Sequence, residues 1–316
     1  MVRMSSEATF EDVLVLIPAL NEETSIARTI SSVRAILPGA KILVIDNAST
    51  DKTSQVAVEE KAISVVELQR GKGFAVRRGF RSVTDSIKVV AMLDGDDTYG
   101  CEKLPIAVDA VRNLGVDMVV GTRIEADVES HRKPAYKAGH TLGNSFFSKF
   151  SAFLHPVGIE DSLSGWRVMS RGFVKSFAGG ATGFEIEAEL NAHAYIIHAS
   201  VMNVPVAYKG RLQGSHSKLN TYRDGFRILR MNLILFRNNR PQLAFGLLSV
   251  PWFVSSAILV SHALLTYFRT GLVKQFPSLI AGVGAFIVGA LLVIAGIILQ
   301  RVKLIRATLA LYNFGR

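Results

Sequence analysis

From Pro241 to Arg316 the chain has no Asp or Glu and only six Lys or Arg residues. Within that stretch, Leu243–Phe268 and Ser278–Gln300 carry no formal charge. A helix needs about 20 apolar residues to cross the hydrocarbon core of a bilayer. Both segments are long enough, and neither has the polar face of an amphipathic helix packed on a soluble domain. The connector Arg269–Pro277 is too short to be a domain. A two-helix anchor is therefore predicted over 241–316, with spans at 243–268 and 278–300.

The remainder of the chain has a different character. All 26 acidic residues and 30 of the 36 basic ones precede Pro241. The overall mean hydropathy of +0.30 thus reflects one apolar end. The high apolar content excludes disorder. A single cysteine, Cys101, excludes a disulfide scaffold and fits a reducing compartment. Met1–Asp12 carries Arg3, Glu7, Glu11 and Asp12 and no apolar run, so it does not read as a signal peptide. Arg223, Arg227, Arg230, Arg237 and Arg240 precede the first span; Arg301, Lys303, Arg306 and Arg316 follow the second. The connector holds two, Arg269 and Lys274. This bias predicts a multi-pass protein of the cell (inner) membrane, with its polar domain and both termini cytoplasmic. Ala281, Ala285 and Gly289 form a small-residue ridge suited to close helix packing, within the chain or in a homo-oligomer. In 221–240, Arg223, Arg227, Arg230 and Arg237 share one helical face, and Phe226, Leu229, Leu233 and Phe236 another. A basic amphipathic helix at the headgroup level of the lipid bilayer is predicted there.

Residues 1–220 alternate strand and helix patterns. Val13–Pro18, Lys41–Asp46, Ile63–Leu68, Ile87–Leu93 and Asp117–Thr122 read as strands. Glu22–Ile36, Asp51–Glu60, Gly71–Val83 and Cys101–Asn113 read as helices. Continuous apolar strands alternating with helices predict an α/β domain, a mostly parallel Rossmann-like sheet with helices on both faces. Ligands of such sheets bind beyond the carboxyl ends of the strands. Polar or glycine-rich sequence follows four strands: Pro18, Ala19, Asn21 and Glu22 after the first, Asp46 after the second, Arg70–Gly73 after the third, Asp94–Tyr99 after the fourth. Asn21 and Asp51 also suit helix capping. Asp94, Asp96 and Asp97 repel one another unless a cation lies among them, and hard carboxylate oxygens suit Mg²⁺ or Mn²⁺. Lys72 and Gly73 suit a phosphate, although neither a Walker A loop nor a dinucleotide fingerprint is present. Carboxylates of Phe184–Glu189 fall on a predicted helix, where a solvated face is the plainer reading. His193, His198 and His262 lack a ligand spacing and read as structural. Nothing points to nucleic acid.

The motifs IPALNEE (17–23), VIDNASTDKT (44–53), RGKGFAVRRGF (70–80), MLDGDDTY (92–99) and DMVVGTR (117–123) resemble family 2 glycosyltransferases of the GT-A fold. DSLSGWRVMSR (161–171) and GSHSKLNTYRDGFRIL (214–229) narrow the resemblance to the polyprenyl-phosphate branch, similar to dolichyl-phosphate mannose synthase and the bacterial undecaprenyl-phosphate enzymes. The resemblance implies that Pro18, Ala19, Asn21, Glu22 and Asp46 border the nucleotide of a nucleotide sugar, with Lys72, Gly73, Asp94 and Gly95 beside it. It implies that Asp94 and Asp96 are the D-x-D pair, Asp96 the main metal ligand. Thr98 stands where the mannose synthase pattern has an amide-bearing residue, which leaves Asp97 as a further metal ligand. Asp161 corresponds to the acidic residue beside the acceptor. Arg123, Arg132, Arg167, Arg211, His216 and Lys218 are the cations offered to an acceptor phosphate, and Gly139, Gly143 and Asn144 suggest a mobile segment that admits it. The implied activity is a metal-dependent, inverting transfer of one hexose from a UDP- or GDP-linked sugar to a polyprenyl phosphate, for a cell-envelope glycan. A processive polysaccharide synthase is the alternative enzyme, but its Q-x-x-R-W motif and multi-span channel are absent from the sequence. A non-catalytic nucleotide-binding scaffold does not account for Asp94, Asp96 and Asp161 together.

Overall fold

The computed structural model describes residues 9–125, 158–209, 230, 233–234, 236–238 and 240–314. The chain divides into two compact units, Met1–Asn232 with Ala310–Arg316, and Leu233–Leu309.

The first unit is built on β1 (Val13–Ala19), whose seven residues are all buried. Strands covered on both faces read as unbroken apolar runs, which is how VLVLIPA reads. The other strands are β2 (Lys41–Asp46), β3 (Ile63–Val66), β4 (Val89–Met92), β5 (Met118–Glu125), β6 (Arg167–Ser170) and β7 (Val201–Tyr208). They form one sheet in the order β3-β2-β1-β4-β6-β5-β7. Only β6 runs against its neighbours, β4 and β5; the other pairings are parallel. Neither β6 nor β7 is in the sequence prediction. β6 is four residues long and opens with a charge. β7 contains Pro205, which an outermost strand tolerates because one of its edges needs no ladder donor.

Helices α1 (Ile26–Ile36), α2 (Thr53–Glu59), α3 (Lys72–Arg81), α4 (Leu104–Asn113), α5 (Arg171–Ser176) and α6 (Ile186–Ile196) cover the sheet. Alternate residues of β1 serve two cores. Val13, Val15 and Ile17 pack with Ile26, Ile30 and Val33 of α1 and Leu104, Val108 and Val111 of α4. Leu14 and Leu16 pack with Ala75, Val76 and Phe80 of α3, Phe173 of α5 and Leu190 of α6. α1 starts four residues later than its apolar pattern suggests. Glu22 is held in the preceding loop, where its N–H donates to Thr53 Oγ1 at 2.7 Å. The register sets Ala19 opposite Asp46 and Leu16 opposite Met92, so β1, β2 and β4 finish close together.

The second unit contains α7 (Pro241–Thr270) and all but the last turn of α8 (Phe276–Phe314). Pro241–Thr270 and Phe276–Ile305 are long and apolar enough to cross a membrane, with mean hydropathies of 2.0 and 2.7. Both predicted spans lie inside them. Gly271 ends α7 in the left-handed conformation (φ 68°), and its N–H donates to the Tyr267 carbonyl at 2.7 Å. The small-residue ridge of α8 differs from the predicted one. Ala281 is exposed, whereas Gly282 packs on Val260, Gly289 on the Phe253 ring and Gly296 on Phe245, with Ala285 buried between them. A Cβ on Gly289 would stand 3.0 Å from the Phe253 ring, so these glycines are used for packing inside the chain. Most of the predicted amphipathic helix lies outside the described residues; Arg230, Leu233, Ile234, Phe236, Arg237 and Asn238 are helical.

Candidate active site

The ends of β1 and β2 form one wall. Pro18 and Ala19 close β1, and the next turn places Asn21 in the left-handed region (φ 52°). Asn21 Oδ1 accepts from the Thr50 N–H at 2.7 Å, and the Asn21 N–H donates to Ser49 Oγ at 2.9 Å. Asp46, buried at the end of β2, accepts from the Ser49 N–H at 3.0 Å. Glu22 Oε2 lies 2.9 Å from Ser25 Oγ, which also reaches the Gly95 carbonyl at 2.9 Å. The turns after β1, β2 and β4 are thus tied together. Asp51 Oδ1 accepts from the Thr53 N–H at 3.0 Å, although the residue at the N-cap of α2 is Lys52 and not Asp51. Asn47, one of the polar residues that follow β2, accepts from the Gly71 N–H at 2.6 Å and donates to the Gln69 carbonyl at 2.7 Å. It fastens β2 to the start of α3.

Glycine is required at that start. A Cβ on Gly71 (φ 138°) would lie 2.0 Å from the Thr182 carbonyl oxygen, and one on Gly73 2.2 Å from that of Ala181. The turn before α6 therefore abuts the backbone of α3, and the side chain between the two glycines is trapped. Lys72 Nζ lies 2.6 Å from Asp94 Oδ1 and 2.6 Å from Glu187 Oε1. Burial opposes its charge, but the two carboxylates outweigh burial and hold the ammonium well above the ordinary lysine range. Glu187, on the first turn of α6, is 3% exposed. Burial pushes its carboxyl up, against the pull of Lys72. Its Oε2 has no hydrogen-bond partner among the described residues. The solvated reading of Phe184–Glu189 is therefore corrected. Glu185 Oε1 accepts from the N–H groups of Thr182 and Gly183, both at 3.0 Å, and Glu189 from those of Gly180 and Ala181. These carboxylates brace the turn against Gly71 and Gly73.

Asp94, Gly95 and Asp96 follow one another in the loop after β4. Asp96 is buried, and its Oδ1 accepts from Thr98 Oγ1 at 2.6 Å. A Cβ on Gly165 would stand 2.4 Å from Asp94 Oδ2, so glycine at 165 makes room for that carboxylate. Asp97 stands on left-handed backbone (φ 56°). Burial raises its carboxyl, with Lys209 and Arg28 opposing. No three acidic, histidine or cysteine side chains form a metal-binding group among the described residues. Asp94 and Asp96, one on either side of Gly95, are the two carboxylates of the D-x-D motif. That pair fits a small divalent cation that keeps waters and takes further oxygens from phosphates, as Mg²⁺ does with one or two carboxylates.

Asp161 stands at the opposite side of the motif, clamped by Arg123. Arg123 Nε meets Asp161 Oδ2 at 2.6 Å, and Nη2 meets Oδ1 at 2.8 Å. The guanidinium also lies 5.5 Å from the centre of the Tyr208 ring. Burial works against its charge, but Asp161 dominates and raises it. Arg123 is thus first of all the partner of Asp161. Arg167 is fully buried, so the expectation that it meets an acceptor phosphate is corrected. Its Nη1 donates to Asn191 Oδ1 at 2.7 Å, its Nε to the Ser164 carbonyl at 3.1 Å and its Nη2 to the Ser162 carbonyl at 3.3 Å. Burial pulls its pKa down to about 10. It organises the Asp161–Trp166 loop from below. Arg132, Gly139, Gly143, Asn144, Arg211, His216 and Lys218 lie outside the described residues. His193 packs edge-on to Phe173 and Phe177 and lies 2.9 Å from Ser176 Oγ, a structural setting.

Residues 14–176, just over half of the chain, match the family model for glycosyl transferase family 2. The chain is 31% identical over 285 residues to the low-salt glycan biosynthesis hexosyltransferase Agl6 of Haloferax volcanii, covering 89% of this chain and 65% of that relative. The chain therefore spans about two thirds of that relative's length. It is 28% identical over 220 residues to a dolichyl-phosphate hexose transferase of the same organism, covering 70% of this chain and 92% of the relative. Among solved structures, glucosyl-3-phosphoglycerate synthase from Mycobacterium tuberculosis, in complex with Mn²⁺, UDP and glucosyl-3-phosphoglycerate, superposes with a TM-score of 0.56 at 19% identity. That match covers 71% of this chain and 79% of the other. At that identity the likeness establishes the fold.

Proposed function

We propose, for a chain that belongs to glycosyl transferase family 2, that it transfers one hexose from a nucleotide sugar to a polyprenyl phosphate at the cytoplasmic face of a membrane. The observation that carries this reading is the end of β4, where Asp94 and Asp96 follow a strand of the mostly parallel sheet and the half-buried Lys72 meets Asp94 Oδ1 at 2.6 Å. Ligands of such sheets bind beyond the carboxyl ends of the strands, and two aspartates there suit a cation that carries a diphosphate. Nucleotide-sugar binding is supported by the UDP and Mn²⁺ held by the glucosyl-3-phosphoglycerate synthase, and the lipid acceptor by the name of the dolichyl-phosphate relative. Two membrane-length helices suit an acceptor that lives in lipid.

In this reading Asn21, Glu22 and Asp46 line the nucleotide end, and Asp94 and Asp96 hold a divalent cation. The cation supplies neutralisation of the charge that grows on the departing diphosphate. The acceptor phosphate, with a second pKa of about 6, is already anionic at neutral pH and needs little help from a base. Its oxygen forms the new bond to the sugar carbon as the bond to diphosphate breaks on the opposite face, inverting that carbon. Asp161 orients the acceptor, and Arg123 offsets its charge. Arg132, Arg211, His216 and Lys218 remain the cations proposed for the acceptor phosphate. The test is a panel of radiolabelled UDP- and GDP-sugars offered to the full-length protein with undecaprenyl or dolichyl phosphate. Label moving into the lipid fraction with stoichiometric release of nucleoside diphosphate is expected. Release that is indifferent to added polyprenyl phosphate removes the lipid acceptor from the proposal.

A further inference from the structure

We propose that Glu187 is a positioning residue of the donor site, acting through Lys72 to keep Asp94 available for a cation. The inference rests on the donor-site reading above and adds a residue that the motifs do not contain. Lys72 Nζ stands midway in a chain of three charges, 2.6 Å from Asp94 Oδ1 and 2.6 Å from Glu187 Oε1. Without Glu187, the buried ammonium would have Asp94 as its only carboxylate and would compete with any cation for that aspartate's oxygens. With Glu187, the trio carries one net negative charge, and the ammonium is shared.

Two further observations separate this role from mere packing. Glu187 Oε2 is buried with no partner among the described residues, a cost that a fold built only for stability avoids. Moreover, the turn that delivers Glu187 is pressed against Gly71 and Gly73 and braced by Glu185 and Glu189, so the carboxylate is held at the ammonium by the backbone.

The test reads binding of Mn²⁺ with UDP or GDP to the full-length protein, by the paramagnetic resonance of free Mn²⁺, without turnover. Glu187→Gln keeps size and one acceptor oxygen but removes the charge, and should weaken Mn²⁺ binding roughly tenfold. Glu187→Asp keeps the charge and should restore most of it. Lys72→Met removes the competitor and should move Mn²⁺ affinity the other way, tightening it, although turnover falls. A residue that only fills space would shift the thermal midpoint in the Gln and Asp variants alike and leave Mn²⁺ affinity unchanged. Wild-type affinity in folded Glu187→Gln overturns the proposal. Should that variant not fold, Lys72→Met decides, and unchanged or weaker Mn²⁺ binding overturns it. A wild-type protein that binds neither Mn²⁺·UDP nor Mn²⁺·GDP fails the donor-site reading itself.

Discussion

The two units sort their apolar residues in opposite ways. In the sheet unit the large ones are inside: Val15, Leu16 and Ile17 have no exposed surface. In the helical unit the large ones are outside, with Phe268 78% and Ile258 64% exposed, and the small residues Ala244, Ser249, Ser256 and Ala263 are buried. The first pattern is the one water imposes. The second is expected where the surroundings are as apolar as leucine, so that close packing of small residues holds the helices together. The two units thus follow opposite sorting rules, and the polar residues of the candidate site lie in the one that follows the aqueous rule.

The largest effect that division predicts is chemical. Asp96→Asn removes a carboxylate proposed to hold the cation and should lower turnover by about 10²–10⁴-fold with the fold intact. Steady-state kinetics and circular dichroism check this, and near-normal turnover in chelator-treated buffer would remove Asp96 from metal binding. Next comes the contrast in packing. Leu16→Ala opens a cavity under α3 and should cost about 2–5 kcal/mol of unfolding free energy. Ile258→Ala on the outer face of α7 should cost less than about 1 kcal/mol in detergent. Equal losses in urea titrations would mean that α7 has a covered face. A comparable effect is expected from pH. His193 is pulled by burial to about 4, against an ordinary 6.5. The unfolded chain therefore takes up a proton that the folded one refuses. Stability is full above pH 6.5 and falls as pH drops towards 4, by about 3 kcal/mol. His193→Gln should flatten that slope in chemical unfolding measured between pH 7 and 4. The smallest effect concerns the anchor. A chain cut after Arg240 should keep nucleoside diphosphate affinity within about twofold, since Asn21, Asp46 and Asp96 precede the cut, while turnover on lipid acceptor drops. Calorimetry showing affinity lost together with the helices would end the modular view.

Much of this was legible before any coordinates. β1, β2 and β4 announce themselves because a strand buried on both faces leaves an unbroken apolar run, and the apolar helices because spanning needs length without charge. Asp94 and Asp96 stand out in the sequence because they follow the apolar run of β4, and the loops after such strands are where ligands of α/β sheets bind. Arg167 was misread because a charge in a sequence looks solvated, and nothing local reveals that Ser162, Ser164 and Asn191 surround it. Glu187 was passed over for the same reason. Its neighbour Lys72 lies beyond three strands of intervening chain, and only the close approach of two backbones at Gly71 and Gly73 brings them together. β6 was too short and too polar at its start to register as a strand.

That close approach has a kinetic consequence. The contact between the α3 start and the turn before α6 joins chain segments separated by β4, β5 and β6, so closing it costs much loop entropy and it belongs among the late events of folding. In the order of synthesis, however, every residue of the cleft from Asn21 to Glu187 emerges before the first residue of α7. The candidate site can therefore be assembled while the apolar tail is still to be made.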